Sequence, residues 1–197
     1  MVKKIKNKSR CAWPGLDELM IKYHDEEWGR PCHDDAVLFE YVVLDTFQAG
    51  LSWRIILHKR ENFRRALDNF AVEKIARYDE RKIELLLTNA GLIRNRLKMF
   101  GLVKNAQAAR LVKKEFGSLD QYFWQFVGGR TKDNRLKSQS RIAARSRESD
   151  AMSADMKRRG FSFCGSTVCY AFMQGAGIIN DHLVTCFRHA ECQPKNR

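Results

Sequence analysis

Proline is nearly missing from this chain. Three residues, at 14, 31 and 194, leave long stretches with nothing to stop a helix. Strand-like alternation of apolar and polar residues is also scarce, which argues against a sandwich or barrel. No apolar run reaches the length a bilayer-spanning helix needs, so no membrane partner is expected. Met1 to Arg10 is basic but lacks an apolar centre, so it does not read as an export leader. The six cysteines, at 11, 32, 164, 169, 186 and 192, are too dispersed for a small-domain disulfide framework. A reducing cytoplasm is therefore the expected location. Acidic residues are in deficit, 23 against 36 Lys and Arg, for a net charge of +13.

That charge favours nucleic acid as a partner over a merely soluble basic surface, because the cations cluster. Arg130, Lys132, Arg135, Lys137, Arg141, Arg145 and Arg147 fall in one segment, followed by Lys157, Arg158 and Arg159. Nothing there makes an amphipathic membrane helix.

The fold class is all-α. Helices are predicted from about Asp17 to Glu26, after Asp34 or Asp35 as N-cap, and after Ser52 as N-cap. Others follow Asp79, run from Asn95 to Glu115, start at Ser118, are capped by Ser149, and span Ser166 to Gly175. A last helix holds His182 and Cys186. Residues 128–147 are expected to form a long loop. Residues 1–10 read as a disordered basic tail, 11–190 as one domain of two helical lobes, and 191–197 as a second tail. A monomer is expected.

Cys11 and His24 are separated by twelve residues near the start, and His182 and Cys186 lie at a spacing of four near the end. A two-cysteine, two-histidine set suits tetrahedral zinc and leaves no position for water, so such a site would be structural. On spacing alone, each of these residues is more often simply packed or exposed. His33, His58 and His189 have no such pattern and read as surface residues. Cys32, Cys164, Cys169 and Cys192 read as apolar fillers or exposed thiols.

Trp13, Tyr23, Trp28 and Trp53 all lie near the N-terminal end of the chain. Ordinary core packing explains any one of them. Together they could sandwich a flat ligand, and a cationic one would gain most from aromatic faces.

Several ordered blocks carry a resemblance. Cys11-Ala-Trp13, then Tyr23-His-Asp-Glu-Glu-Trp-Gly29 and Gln48-Ala-Gly-Leu-Ser-Trp53, open it. Lys59-Arg-Glu-Asn62, Asn89-Ala-Gly-Leu-Ile-Arg94 and Trp124-Gln-Phe-Val127 continue it. Lys157-Arg-Arg-Gly-Phe161, Tyr170-Ala-Phe-Met-Gln174 and Asn180-Asp-His182 with Cys186 complete it. From about Cys11 to Cys186 the chain resembles the 3-methyladenine DNA glycosylase I family, within the helix-hairpin-helix glycosylases. The resemblance implies a zinc held by Cys11, His24, His182 and Cys186. It implies double-stranded DNA with an alkylated base as the partner, a base pocket of Trp13, Tyr23, Trp28, Trp53 and Met20, and excision of 3-methyladenine without a lyase step.

It also implies a hairpin at Phe161 to Thr167, where Gly165, Ser166 and Thr167 would meet phosphate at a helix N-terminus. The turn with Gly50 and Leu51 would probe the duplex, Leu51 acting as an apolar wedge. A Leu packed in a helix junction is the competing reading. Asn180 falls where many relatives in the superfamily place a catalytic Asp, and Asp181 reads as structural, orienting His182.

Two residues depart from the family pattern. Leu44-Asp45-Thr46 stands where the family has Leu-Glu-Gly, so the catalytic carboxylate is Asp45, set back by about 1.5 Å. Met20 stands where relatives carry a Tyr. These departures support a second reading, a DNA-binding homologue with weakened or lost catalysis. A zinc-held scaffold that does not bind DNA is a third, and it fits the charge poorly.

Overall fold

The computed structural model describes residues 9–193. Most of the 1–10 tail and the end of the 191–197 tail lie outside them. Among the described residues, helices α1 (Glu18–Glu26), α2 (Asp35–Gln48) and α3 (Trp53–Ala66) come first, then α4 (Val72–Ile75) and α5 (Glu80–Thr88). The long α6 (Arg96–Phe116), the short α7 (Leu119–Trp124), α8 (Arg147–Arg158) and α9 (Ser166–Gly175) follow. The chain is mostly helical, and no described helix is long and apolar enough to cross a membrane.

One feature departs from an all-helical chain. Strands β1 (Lys132–Asp133) and β2 (Ile179–Asn180) pair in parallel. Two residues are too few to show a period, so this contact has no signature in the sequence.

Helix α2 is the centre of the fold. Every residue from Leu38 to Phe47 on it is buried, which requires neighbours on all sides. Helices α3, α6, α7 and α9 supply them. Its side-chain cap is Asp34, which accepts from the backbone N–H groups of Ala36 and Val37. Asp17, Ser52, Asp79, Asn95 and Ser118 cap α1, α3, α5, α6 and α7 in the same way. Helix α8 differs from expectation: Ser146 is its cap, and Ser149 is the third residue of a capping box. Ser149 is fully buried, and its hydroxyl also meets that of Ser166 at 2.9 Å, joining α8 to α9.

A buried ion network fixes α3 against α1 and α2. Arg60 donates to Glu27 at 2.6 Å and to Glu40 at 2.5 Å, and Tyr41 donates its hydroxyl to Glu27 at 3.1 Å. These three helices carry Tyr23, Asp45 and Trp53, so the network sets their relative positions.

Candidate active site and metal centre

Cys11, in the irregular segment before α1, meets His24 of α1 and both His182 and Cys186 from beyond β2. All four are buried, and their ligand atoms lie within 4.8 Å of one another. Cys186 Sγ is 3.6 Å from His24 Nε2 and 3.6 Å from His182 Nδ1, and Cys11 Sγ is 3.8 Å from His182 Nδ1. With metal–sulfur and metal–nitrogen bonds of about 2.3 and 2.05 Å, a tetrahedral site requires sulfur–nitrogen separations of about 3.5 Å. The donors are therefore already arranged for one small cation.

The outer ring nitrogens are also engaged. His24 Nδ1 is 2.7 Å from Asp25 Oδ1, and His182 Nε2 is 2.9 Å from the carbonyl of Trp28. Each leaves the inward nitrogen free to act as a ligand. Hydrogen bonding from Cys11, then from His182 and His24, holds the Cys186 thiol well below its usual range. The same bond to Cys186, together with burial, raises Cys11.

His182 and Cys186 do not share a helix. They sit in consecutive turns, with Cys186 N–H donating to Leu183 at 2.7 Å. Their spacing of four reflects convergence on the cluster, not a helical face. Gly29 lets the chain pass close by: a Cβ there would lie 2.8 Å from the His182 ring, and its φ of +77° disfavours other residues.

Beside this cluster lies a cavity of about 170 Å³ lined by Trp13, Tyr23, Trp28, Asp45, Gln48, Trp53, Ile142 and Ala171. It is smaller than the roughly 300 Å³ at which drug-sized pockets begin. Trp13 meets Trp28 edge-on at 5.1 Å, and Tyr23 meets Trp53 at 5.1 Å. Trp28 also packs edge-on against His182 at 4.6 Å, so one ring separates the cavity from the cluster. The indole N–H groups of Trp13 and Trp53 are buried without a partner among the described residues.

Among the described residues, Asp45 is the only carboxylate on this wall. It is 6% exposed, and burial alone pushes its carboxyl well above the ordinary carboxylate range. Behind it is an apolar crevice of about 10 Å³ lined in part by Val42, Cys164, Cys169 and Phe172. That space is marginal for even one water, so nothing relieves the desolvation from behind.

Sequence reading brought the four aromatic residues and Asp45 to one place. Met20 is different: it is buried among Cys11, Tyr23, Trp28 and Leu57, behind the cavity and not on its wall. Gln48, Ala171 and Ile142 were missed. The first two lie inside blocks quoted above, while nothing in the sequence marks Ile142.

The turn after α2 stands at the surface. Gly50 has φ +79° with open space where a Cβ would be, and Leu51 is 39% exposed. Gly165 opens α9 with φ −62°, so its conformation does not require glycine, and a Cβ there would meet nothing within 4 Å. No side chain caps α9, so the N–H groups around Ser166 and Thr167 lack a cap.

Two further expectations need correcting. Asp181 does not orient His182. It accepts from Tyr170, Gln174 and Asn134, each at 2.7 Å. The Trp28 carbonyl engages the ring of His182, while the fully buried Asn180 holds its backbone, accepting from the His182 N–H at 3.2 Å and donating to the His189 carbonyl at 3.1 Å. His189 is not a surface residue either: it is buried with Nε2 3.0 Å from Asp133. Its isolation in sequence concealed a partner 56 residues away.

Residues 13–189 match the family described as methyladenine glycosylase. DNA-3-methyladenine glycosylase 1 of Escherichia coli (strain K12) is 40% identical over 188 residues, covering 95% of this chain and 98% of that protein. DNA-3-methyladenine glycosylase of Haemophilus influenzae is 40% identical over 178 residues, covering 90% and 96%. The solved structure of 3-methyladenine DNA glycosylase I from Staphylococcus aureus, described as showing the basis of 3-methyladenine recognition, superposes with a TM-score of 0.89. It is 31% identical and covers 95% of this chain and 98% of that one. With a match across nearly its whole length, this chain belongs to the methyladenine glycosylase family.

Proposed function

We propose that this protein is a monofunctional DNA glycosylase that hydrolyses the N-glycosidic bond of 3-methyladenine in alkylated duplex DNA. The observation that carries this reading is Asp45, a desolvated carboxylate on the wall of an aromatic cavity. A neutral ligand would gain little from such a group. A flat cation would gain from both the carboxylate and the rings.

The chemistry follows from the ligand's charge. Methylation at N3 leaves the purine positive and its bond to the sugar weak. Trp13, Tyr23 and Trp53 hold the extruded base, and Asp45 orients it through its edge. Water adds to the anomeric carbon as the bond to the base breaks. The bonding electron pair leaves with the purine and neutralises it, and the water's proton passes to solvent. Among the described residues no lysine lines the cavity to form an imine, which supports hydrolysis without strand cleavage.

Cys11, His24, His182 and Cys186 would hold one structural zinc. When bound, that ion supplies a cross-link between the two ends of the domain and, with four protein ligands, no reactive water. The α8–turn–α9 pair would be the helix-hairpin-helix, with Gly165, Ser166 and Thr167 facing phosphate. Gly50 and Leu51 would fill the gap left by the extruded nucleotide.

The test is base release. Purified protein is incubated with methylated duplex DNA, and free 3-methyladenine, 7-methylguanine and 3-methylguanine are quantified. Selective release of 3-methyladenine is expected, and release of none would reject the activity.

A further inference from the structure

Residues 130–147 carry seven cations and a single acid, Asp133. That acid is already occupied by His189 and by the backbone N–H of Arg135. Only Lys132 pairs with a carboxylate, Glu148 at 2.7 Å. Among the described residues Arg130, Arg135, Lys137, Arg141, Arg145 and Arg147 are exposed, and none has an acidic partner. Most arginines elsewhere do, Arg54, Arg96, Arg110 and Arg159 among them. Six exposed cations without an acidic partner within eighteen consecutive residues make this segment a concentrated positive patch.

The segment is not a loose loop. β1 pairs with β2, Leu136 accepts from the Val184 backbone N–H at 2.8 Å, and the Ser146 capping box fixes the far end. Between these anchors a short turn, Gln139–Arg141, closes on Ile142, whose N–H donates to Gln139 at 3.1 Å. Ile142 then lines the cavity with Trp13, Tyr23, Asp45 and Trp53. Arg141 is its chain neighbour, and Arg145 lies three residues on, within about 10 Å of chain.

We infer that residues 130–147 form a phosphate-binding ridge that also supplies the outer wall of the base pocket. Arg141 and Arg145 hold the sugar–phosphate backbone beside the extruded nucleotide, and Ile142 rests against the base. The inference builds on the glycosylase reading. It adds that docking of the backbone and completion of the pocket are one event, because adjacent residues perform them. An aliphatic wall at this point also keeps water from Asp45.

Two variants test it. The double variant Arg141→Ala, Arg145→Ala is titrated with undamaged duplex at several salt concentrations. The slope of log K against log salt should fall by about 1.8, the value for two lost phosphate contacts. Ile142→Ala should keep the wild-type slope but slow single-turnover release of 3-methyladenine about tenfold. It should also weaken binding of the free base, followed by tryptophan fluorescence. Thermal melts of both variants show that they are folded.

A wild-type slope in the arginine variant, or wild-type release by Ile142→Ala, overturns the inference while leaving the enzyme's activity standing. Wild-type protein that binds duplex with full salt dependence but frees no base rejects the glycosylase reading and Ile142's role with it. The arginine slope still decides the ridge in that case.

Discussion

The ammonium group of Lys98 lies 2.6 Å from the carbonyl oxygen of Ala49, and 2.7 Å from that of Phe47. A cation from the first turn of α6 thus caps the C-terminal end of α2, where carbonyl groups lack helical partners. The turn with Gly50 and Leu51 starts there, so an exposed turn is tied to a buried charge. Lys98→Met keeps the length and removes both bonds. It should lower stability by about 2–3 kcal/mol in urea unfolding. Release of base from duplex DNA should slow while free-base binding is kept. Unchanged stability would show that Lys98 is not a clamp.

Asp45 should work against stability. Its carboxyl is raised in the folded protein, so the folded state keeps a proton that the unfolded chain releases. That contribution is full below the ordinary carboxylate range and is lost as pH climbs through the raised value. Asp45→Asn removes the dependence. At neutral pH the variant should be more stable than wild type. Below pH 4 the two should converge. Paired thermal melts across pH check this, and the variant should release no base.

The shortened acid leads to another expectation. Glutamate at this position would reach about 1.5 Å farther toward the ligand. Asp45→Glu should bring the carboxylate closer to the base edge and raise single-turnover release about tenfold. An equal or lower rate would show that the aspartate is already in place, with Thr46 and the crevice behind it adapted to the shorter side chain.

Much of this layout was legible in the sequence, for identifiable reasons. Asp34, Ser52 and Asn95 each stand just before an apolar periodic stretch, so local chemistry marks those helix starts. Ser146 and Ser149 could not be told apart because both take part in one capping box. The spacing of His182 and Cys186 imitates a helix, but the two residues sit in consecutive turns that converge on the buried cluster. The partners of Asp181 and His189, and the reach of Ile142 to the cavity, depend on the path of a long loop, which no local pattern encodes.

For the metal centre, elemental analysis should find one zinc per chain. Asp25→Ala removes the bond that orients His24 and should weaken zinc binding about 10–100-fold in a chelator competition. Asp25 also takes both hydrogen bonds of Arg10, at 2.7 and 2.6 Å. Arg10→Ala is therefore the control and should bind zinc nearly as well as wild type. Equal loss in both variants would assign the effect to the surface ion pair.

The ring of Trp28 touches the cavity on one side and His182 on the other. During synthesis the first half of the cluster leaves the ribosome well before the second. At 5–20 residues per second the delay is on the order of ten seconds. Trp28 has no His182 to lean on in that interval, so a nascent chain that has already buried α2 still has no finished pocket. Competence to take up a base therefore waits for the turns that carry His182 and Cys186. A chain cut short before His182 should fold much of its core and remain inert toward damaged DNA.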